Sequence, residues 1–213
     1  KGSRITRKKI EMSDPFLKSF PSDIERQKRV GRFFDEFLIP TITQDGSTLF
    51  DLEIGCGHGH WLTNYAMANV DITSVGIDLI TKRVSKATAK KEKRNLSNLF
   101  FYKAEAVEFV SLIPDSIKIQ NTFVMFPDPW PKHKHHKRRL IQHDFLSLLH
   151  SKTSPTGKIF FRTDYQPYFD WTLDLFEQSL LWTKCSSPMP LEHTSYFQDL
   201  LPDFQTFCGR PVH

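Results

Sequence analysis

An α/β fold, a mostly parallel sheet with helices on both faces, is the architecture this sequence predicts, and three observations predict it. Short apolar runs alternate with stretches of helical length, the connections are short, and the glycine, proline and acidic motifs fall where the apolar runs end. In such a sheet ligands bind at the carboxyl ends of the strands, so the motifs lie where a site is expected.

The first element is a leading helix from Ser22 to Leu38, patterned by Ile24, Val30, Phe33, Phe34 and Phe37 and stopped before Pro40. Leu49 to Ile54 is a buried strand that breaks into glycines, and a helix follows from His60 to Ala68. Ile72 to Ile77 is the second strand, ending at Asp78, with its helix from Thr81 to Arg94. Leu99 to Tyr102 is a third strand, Ala106 to Leu112 a helix, and Ile119 to Phe126 a fourth strand. A proline-rich loop then leads to a helix from Arg138 to His150, a fifth strand from Gly157 to Arg162 and a helix from Pro167 to Leu180. Leu181 to Cys185 and Phe204 to Val212 form a closing antiparallel pair. No repeat or low-complexity linker divides the chain.

The 213 residues fit one domain, with residues 1–40 as a basic arm plus leading helix and 41–213 as the α/β domain. No stretch approaches the roughly 18 apolar residues of a membrane span, and no apolar signal-peptide core is present. Three cysteines, odd in number and without CxxC spacing, argue against a disulfide framework or a zinc site and for a reducing cytoplasm. The net charge of +5 permits a polyanionic partner, and the placement of that charge decides.

The string Leu52-Glu53-Ile54-Gly55-Cys56-Gly57-His58-Gly59 leaves a strand and enters a helix. Gly55 and Gly57 let a ligand approach main-chain N–H groups. The spacing is GxGxG, because His60 follows Gly59, and this disfavours a dinucleotide, which needs GxGxxG. Glu53, just before the first glycine, suits a cationic ammonium and sulfonium better than a pyrophosphate. Asp78 ends the next strand, where a carboxylate accepts from both ribose hydroxyls, and Glu105 follows the third strand within reach of an adenine amino group. Each acid alone is more often a solvated strand end than a ligand; the three in order, at successive strand ends, point to a nucleoside cofactor.

The fourth strand ends in Phe126-Pro127-Asp128-Pro129-Trp130-Pro131-Lys132. Prolines on both sides of Asp128 fix the backbone and remove donors, which suits either a rigid site or a stiff surface turn. Between Lys132 and Arg139 there are five Lys or Arg and three His with no acid, either a phosphate-contacting surface or a solvated loop. His133, His135 and His136 make a poor metal site because the lysines around them repel a cation. The helix from Thr81 to Arg94 is also basic, and reads as a solvated face. Trp61, Trp130 and Tyr165 are candidates for base stacking or for core packing.

With these motifs the chain resembles the tRNA guanine-N7 methyltransferase family. The resemblance runs from about Leu49 to Tyr168 and rests on LEIGCGHG, GIDL, FPDPWPK with the following HHKRRL, and FRTDYQPY. It implies a Rossmann-like methyltransferase fold, S-adenosylmethionine as cofactor, tRNA as partner, no metal, and a monomer or homodimer that methylates N7 of a variable-loop guanine. Residues matching Glu53, Asp78, Glu105 and Asp128 bind the cofactor in that family, those matching Lys132 and Asp164 bind the guanosine, and the one matching Asp128 is catalytic. Lys134, Lys137, Arg138 and Arg139 are then the RNA-contacting residues. The family usually has Asp at the position of Glu105. It also closes with Thr-x-Phe/Tyr-Glu, whereas Thr194-Ser195-Tyr196 is followed here by Phe197, so Thr194 is the substrate-binding match and the Glu is missing. A methyltransferase acting on another substrate, or a non-catalytic tRNA-binding relative, would share the glycine turn.

Overall fold

The computed structural model describes residues 23–44, 46–192 and 203–212. The basic positions Arg4, Arg7, Lys8 and Lys9, as well as Thr194, lie outside them.

A seven-stranded sheet runs in the order β3-β2-β1-β4-β5-β7-β6. Its strands are β1 (Leu49–Ile54), β2 (Ser74–Asp78), β3 (Leu99–Lys103), β4 (Lys118–Met125), β5 (Thr153–Thr163), β6 (Trp182–Lys184) and β7 (Gln205–Pro211). Strands β1 to β5 pair in parallel, and β7 runs antiparallel to both β5 and β6. The expected closing pair is therefore present. The order reverses at β1, whose neighbours are β2 and β4, and the crevice beyond the carboxyl ends of those strands is where such sheets hold ligands.

Helices fill both faces because both faces of the strands are apolar. On one side, α5 (Ala106–Ser111), α6 (His143–Lys152) and α7 (Gln166–Glu177) pack with the leading helix over Phe50, Leu52, Ile54 and Phe161. On the other, Trp61, Leu62 and Tyr65 of α3 (His60–Ala68) cover Phe123 and Phe160. Ala87 of α4 (Thr81–Lys93) lies beside Gly59 at the start of α3.

The leading helix does not stop before Pro40. It runs as α1 (Asp23–Phe33), one π-helical stretch (Phe34–Leu38) and α2 (Ile39–Thr43). Pro40 has no N–H, and its ring would strike the carbonyl four residues back in a regular α-helix. The wider turn, closed by the Ile39 N–H on the Phe34 carbonyl, makes room for it. The helix continues because Phe34, Leu38 and Ile42 are all buried and hold it to the core. Phe33 stacks on Tyr102 with ring centroids 4.5 Å apart, and Arg26 pairs with Glu108 of α5.

The helix expected from Arg138 to His150 also differs. His133–Arg138 forms a short 3-10 helix, residues 139–142 are non-helical, and α6 starts at His143. Side chains from α7 satisfy the backbone of this connection: Tyr168 Oη accepts from the Ile141 N–H at 3.1 Å, and Trp171 Nε1 donates to the Ile141 carbonyl at 3.0 Å. The fifth strand begins earlier than expected, at Thr153, with a register shift against β4 between Ile119 and Asn121.

No helix among the described residues is long and apolar enough to cross a membrane. Cys56, Cys185 and Cys208 are free thiols.

Candidate active site

Side chains two residues apart on a strand share a face, so the pairing register defines cross-strand rows. Glu53 lies in a row with Gly76, Phe101, Phe123, Phe160 and Cys208. Two residues nearer the carboxyl edge, on the same face, the next row holds Asp78, Met125, Arg162 and Thr206. Glu53 and Asp78 thus point to one side of the sheet at its topological switch.

Strain at the end of β1 makes the cofactor turn. Gly55, Gly57 and Gly59 have φ of 78°, 56° and 68°, a left-handed conformation that side chains disfavour. The turn is pinned to β2: Gly55 and Cys56 donate to the Ile77 carbonyl at 2.9 and 3.0 Å, and the Gly57 N–H donates to Asp78 Oδ2 at 3.1 Å. Asp78 Oδ1 accepts from the Ile80 N–H at 2.7 Å. Each carboxylate oxygen keeps a further lone pair for a ligand hydroxyl. Arg83 lies 3.6 Å from Oδ2.

The three glycines do different things. A Cβ on Gly59 would stand 2.5 Å from the Phe101 ring and 2.7 Å from the Ala87 methyl, whereas a Cβ on Gly55 or Gly57 would enter open space. Gly59 therefore serves packing, and the other two leave a backbone cradle clear. Gly59→Ala should lower folding stability by about 2–4 kcal/mol, because overpacking adds to the backbone strain of the left-handed conformation. Gly57→Ala should cost only about 1 kcal/mol in backbone strain yet weaken cofactor binding. Chemical denaturation paired with calorimetric titration checks the contrast, and equal losses of stability in the two variants would refute it.

Glu53 is only 4% exposed, and its Oε2 is buried without a hydrogen-bond partner. Burial, and then the nearby Asp78 charge, push its carboxyl up to about 8. An orphaned buried carboxylate beneath a cradle of backbone amides is the donor set for a cationic, nucleoside-bearing group, so these residues fit S-adenosylmethionine. One strand step earlier, Asp51 is fully buried but satisfied, by the Tyr65 hydroxyl at 2.6 Å and the Asn121 backbone and side-chain amides at 2.9 and 3.0 Å. Burial raises its carboxyl to about 6. It ties β1, α3 and β4 together under the site, a role its sequence position did not reveal.

Glu105 caps α5, with Oε2 accepting from the Glu108 N–H at 2.8 Å. That bond fixes one oxygen at the end of β3, the place expected for an adenine contact.

Beyond β4 the chain enters the proline frame. Phe126 and Trp130 have φ of 50° and 44°, outliers for bulky residues, and each precedes a proline. Between them Asp128 is exposed at the edge. The frame is gripped from behind: the Phe126 N–H donates to the Arg162 carbonyl at 2.7 Å, and Arg139 Nε donates to the Pro129 carbonyl at 3.0 Å. Arg139 is 3% exposed, with its guanidinium over the rings of Tyr168 (4.9 Å) and Trp171 (5.3 Å). This corrects the expectation that Arg139 faces RNA: its charge is used inward, on the loop carrying Asp128.

A family model described as "Putative methyltransferase" matches residues 47–196. A tRNA (guanine-N(7)-)-methyltransferase of Caulobacter vibrioides is 30% identical over 165 residues, 74% of this chain and 72% of the relative. This chain belongs to the tRNA (guanine-N7)-methyltransferase family. Proteins of the same name from Wolbachia pipientis and Hyphomonas neptunium are 36% and 37% identical over 60% and 62% of this chain. The matches span 57% and 59% of those two relatives' own lengths. Among solved structures, the aminoglycoside resistance methyltransferase NpmB1 superimposes with a TM-score of 0.58 at 18% identity, covering 82% of this chain and 92% of that one. An antibiotic-related methyltransferase gives 0.55 at 20% identity, covering 83% and 92%. These two likenesses show the Rossmann-like methyltransferase fold.

In this member of the family, Lys132, Lys134, Lys137 and Arg138 are all exposed on the loop and 3-10 helix after the proline frame. Arg138 lies over the Trp130 ring at 4.9 Å, so it braces the frame while its charge stays in solvent. Asp164 is exposed just beyond β5 and does not cap α7, whose preceding residue is Tyr165. Trp61 is core: it stacks on Tyr65 at 5.0 Å and donates Nε1 to the Leu191 carbonyl at 3.1 Å. Tyr165 packs partly buried against the larger core. Among the described residues no group of three or more His, Cys, Asp or Glu is placed to hold a metal ion. Sequence reasoning missed Asp51, the inward role of Arg139, and Arg162, which stands inside the FRTD string yet carries no local signal of burial.

Proposed function

We propose that this protein transfers a methyl group from S-adenosylmethionine to N7 of a variable-loop guanine in tRNA, in the cytoplasm. The observation that carries this reading is the juxtaposition at one sheet edge: the Glu53–Gly57 cradle at the end of β1, and next to it, after β4, an exposed Asp128 in a proline frame followed by a basic surface.

Guanine N7 has an in-plane lone pair and no proton, so no base is needed to free the nucleophile, and positioning dominates. S-adenosylmethionine, when bound, supplies an electrophilic methyl on a sulfonium. Glu53 holds the ammonium end and Asp78 the ribose hydroxyls, while Gly55 and Gly57 leave the backbone accessible and Glu105 stands at the adenine side. Asp128 accepts from the guanine N1–H and N2 amino donors and orients the base. Positive charge grows on the ring as N7 is alkylated, so the fixed carboxylate stabilises the transition state more than the ground state. Lys132, exposed after the proline frame, and Asp164, exposed just beyond β5, hold the rest of the nucleoside, and Lys134, Lys137 and Arg138 neutralise flanking phosphates. Thr194 completes the substrate set in this reading.

The decisive experiment is incubation with methyl-labelled S-adenosylmethionine and unmodified tRNA, followed by nucleoside analysis. Label is expected in 7-methylguanosine from the variable loop. Label in any other nucleoside, or none, refutes the assignment.

A further inference from the structure

Arg162 is a charged side chain buried beside the site. It lies in the row that holds Asp78, Met125 and Thr206, and it is 1% exposed. Its guanidinium is engaged on three sides: Nε donates to Thr206 Oγ1 at 2.8 Å, the Glu192 carboxylate takes NH2 at 3.1 and 3.0 Å, and the Phe204 ring lies 4.5 Å away. NH1 is buried without a partner, so the geometry is set by these contacts and not by full satisfaction of the cation. A buried guanidinium needs a counter-charge, and Glu192 provides it from a position whose side chain is 61% exposed.

What this cluster touches is the start of the proline frame. Phe204 packs edge-on against Phe126 at 5.9 Å, and the Phe126 N–H is bonded to the carbonyl of Arg162 itself. Phe126 carries the left-handed backbone from which the Asp128 loop departs. Such a conformation in a phenylalanine costs on the order of 1–3 kcal/mol and persists only where its surroundings hold it. Arg162 supplies both restraints, one through its backbone and one through the ring its guanidinium stacks on.

We infer that Arg162, neutralised by Glu192, is a positioning residue for methyl transfer: it holds Phe126 through Phe204 and thereby aims the Asp128 carboxylate at the base. The inference rests on the reading of Asp128 proposed above. It does not place Arg162 on the substrate.

The test is a double-mutant cycle in single-turnover assays with labelled S-adenosylmethionine and unmodified tRNA, using Arg162→Lys, Glu192→Gln and each combined with Asp128→Asn. Arg162→Lys should slow methyl transfer about 10- to 100-fold, the scale of a small misplacement of a positioned group. Glu192→Gln, which keeps an acceptor for the guanidinium but removes its counter-charge, should slow it in the same direction by a smaller factor. Affinity for S-adenosylmethionine should fall no further than it does in Asp128→Asn. In the Asp128→Asn background both substitutions should change the rate by less than about twofold, because the group they aim is already altered. Fully multiplicative losses in that background overturn the inference while leaving the role of Asp128 intact. Rates that fall only in step with the melting temperature also overturn it. Normal turnover in Asp128→Asn alone removes the underlying reading, and the inference with it.

Discussion

Asp128→Asn should reduce the rate of methyl transfer on the order of 100- to 1000-fold, the loss that accompanies removal of one preorganised electrostatic partner of a transition state. The substitution is nearly isosteric, and Asp128 is exposed at the sheet edge with no packing to lose, so the melting temperature should stay unchanged. The amide keeps one acceptor oxygen but offers an NH2 where the base offers a second donor, and it brings no negative charge to the ring as N7 becomes cationic. Loss should therefore appear mainly in kcat, with KM for tRNA, set largely by phosphate contacts, moving less. An Asp128→Asn enzyme with normal kcat and raised KM would show that the carboxylate merely binds the base.

The reason to expect so much from an exposed carboxylate is the frame around it, and that frame shows what sequence reasoning could reach. Three prolines at alternate positions disclose rigidity directly, since each fixes its own φ and restricts the residue before it. The sequence does not disclose the side-chain grip on the frame. Arg139 reads as one more cation in a basic run, and only the approach of Tyr168 and Trp171 from α7 turns it inward onto the Pro129 carbonyl. Arg162 is similarly invisible, because Glu192 and Thr206 are 30 and 44 residues away in the chain.

The fold itself was more legible. Apolar runs bounded by Gly, Pro and Asp placed all seven strands, including the antiparallel β6–β7 pair, because strand burial is a local pattern. Two helix boundaries were not legible for the same reason in opposite senses. At Pro40 the tertiary anchorage of Phe34, Leu38 and Ile42 overrides a local stop signal, and at residues 139–142 contacts from α7 override a local helix signal. The placement of Gly55, Gly57 and Asp78 at strand ends followed from strand–turn–helix logic alone. The buried, unpartnered state of Glu53 did not, since burial at a strand end depends on which strands flank it.

That state of Glu53 leads to the second large effect. A carboxyl held up at about 8 is mostly protonated at neutral pH, whereas a cationic ligand above it favours the carboxylate. Binding of S-adenosylmethionine below about pH 8 should therefore release a proton, and affinity should rise from pH 6 toward pH 8, above which the ligand's own α-ammonium loses its proton and affinity falls again. The sign for folding is opposite. Glu53 binds its proton more tightly folded than unfolded, so its contribution to the stability of the ligand-free protein is present below the ordinary carboxylate range and is lost as pH rises through about 8. Ligand affinity and ligand-free stability should thus move in opposite directions over the same interval. Glu53→Gln should abolish both dependences and weaken binding about 10- to 100-fold, the worth of a charge-assisted hydrogen bond of about 1.5–3 kcal/mol. Calorimetry in buffers of different ionisation enthalpy counts the released proton directly. Proton-neutral binding at pH 7, together with a Glu53→Gln variant of unchanged affinity, would mean that the ammonium is held elsewhere on the turn.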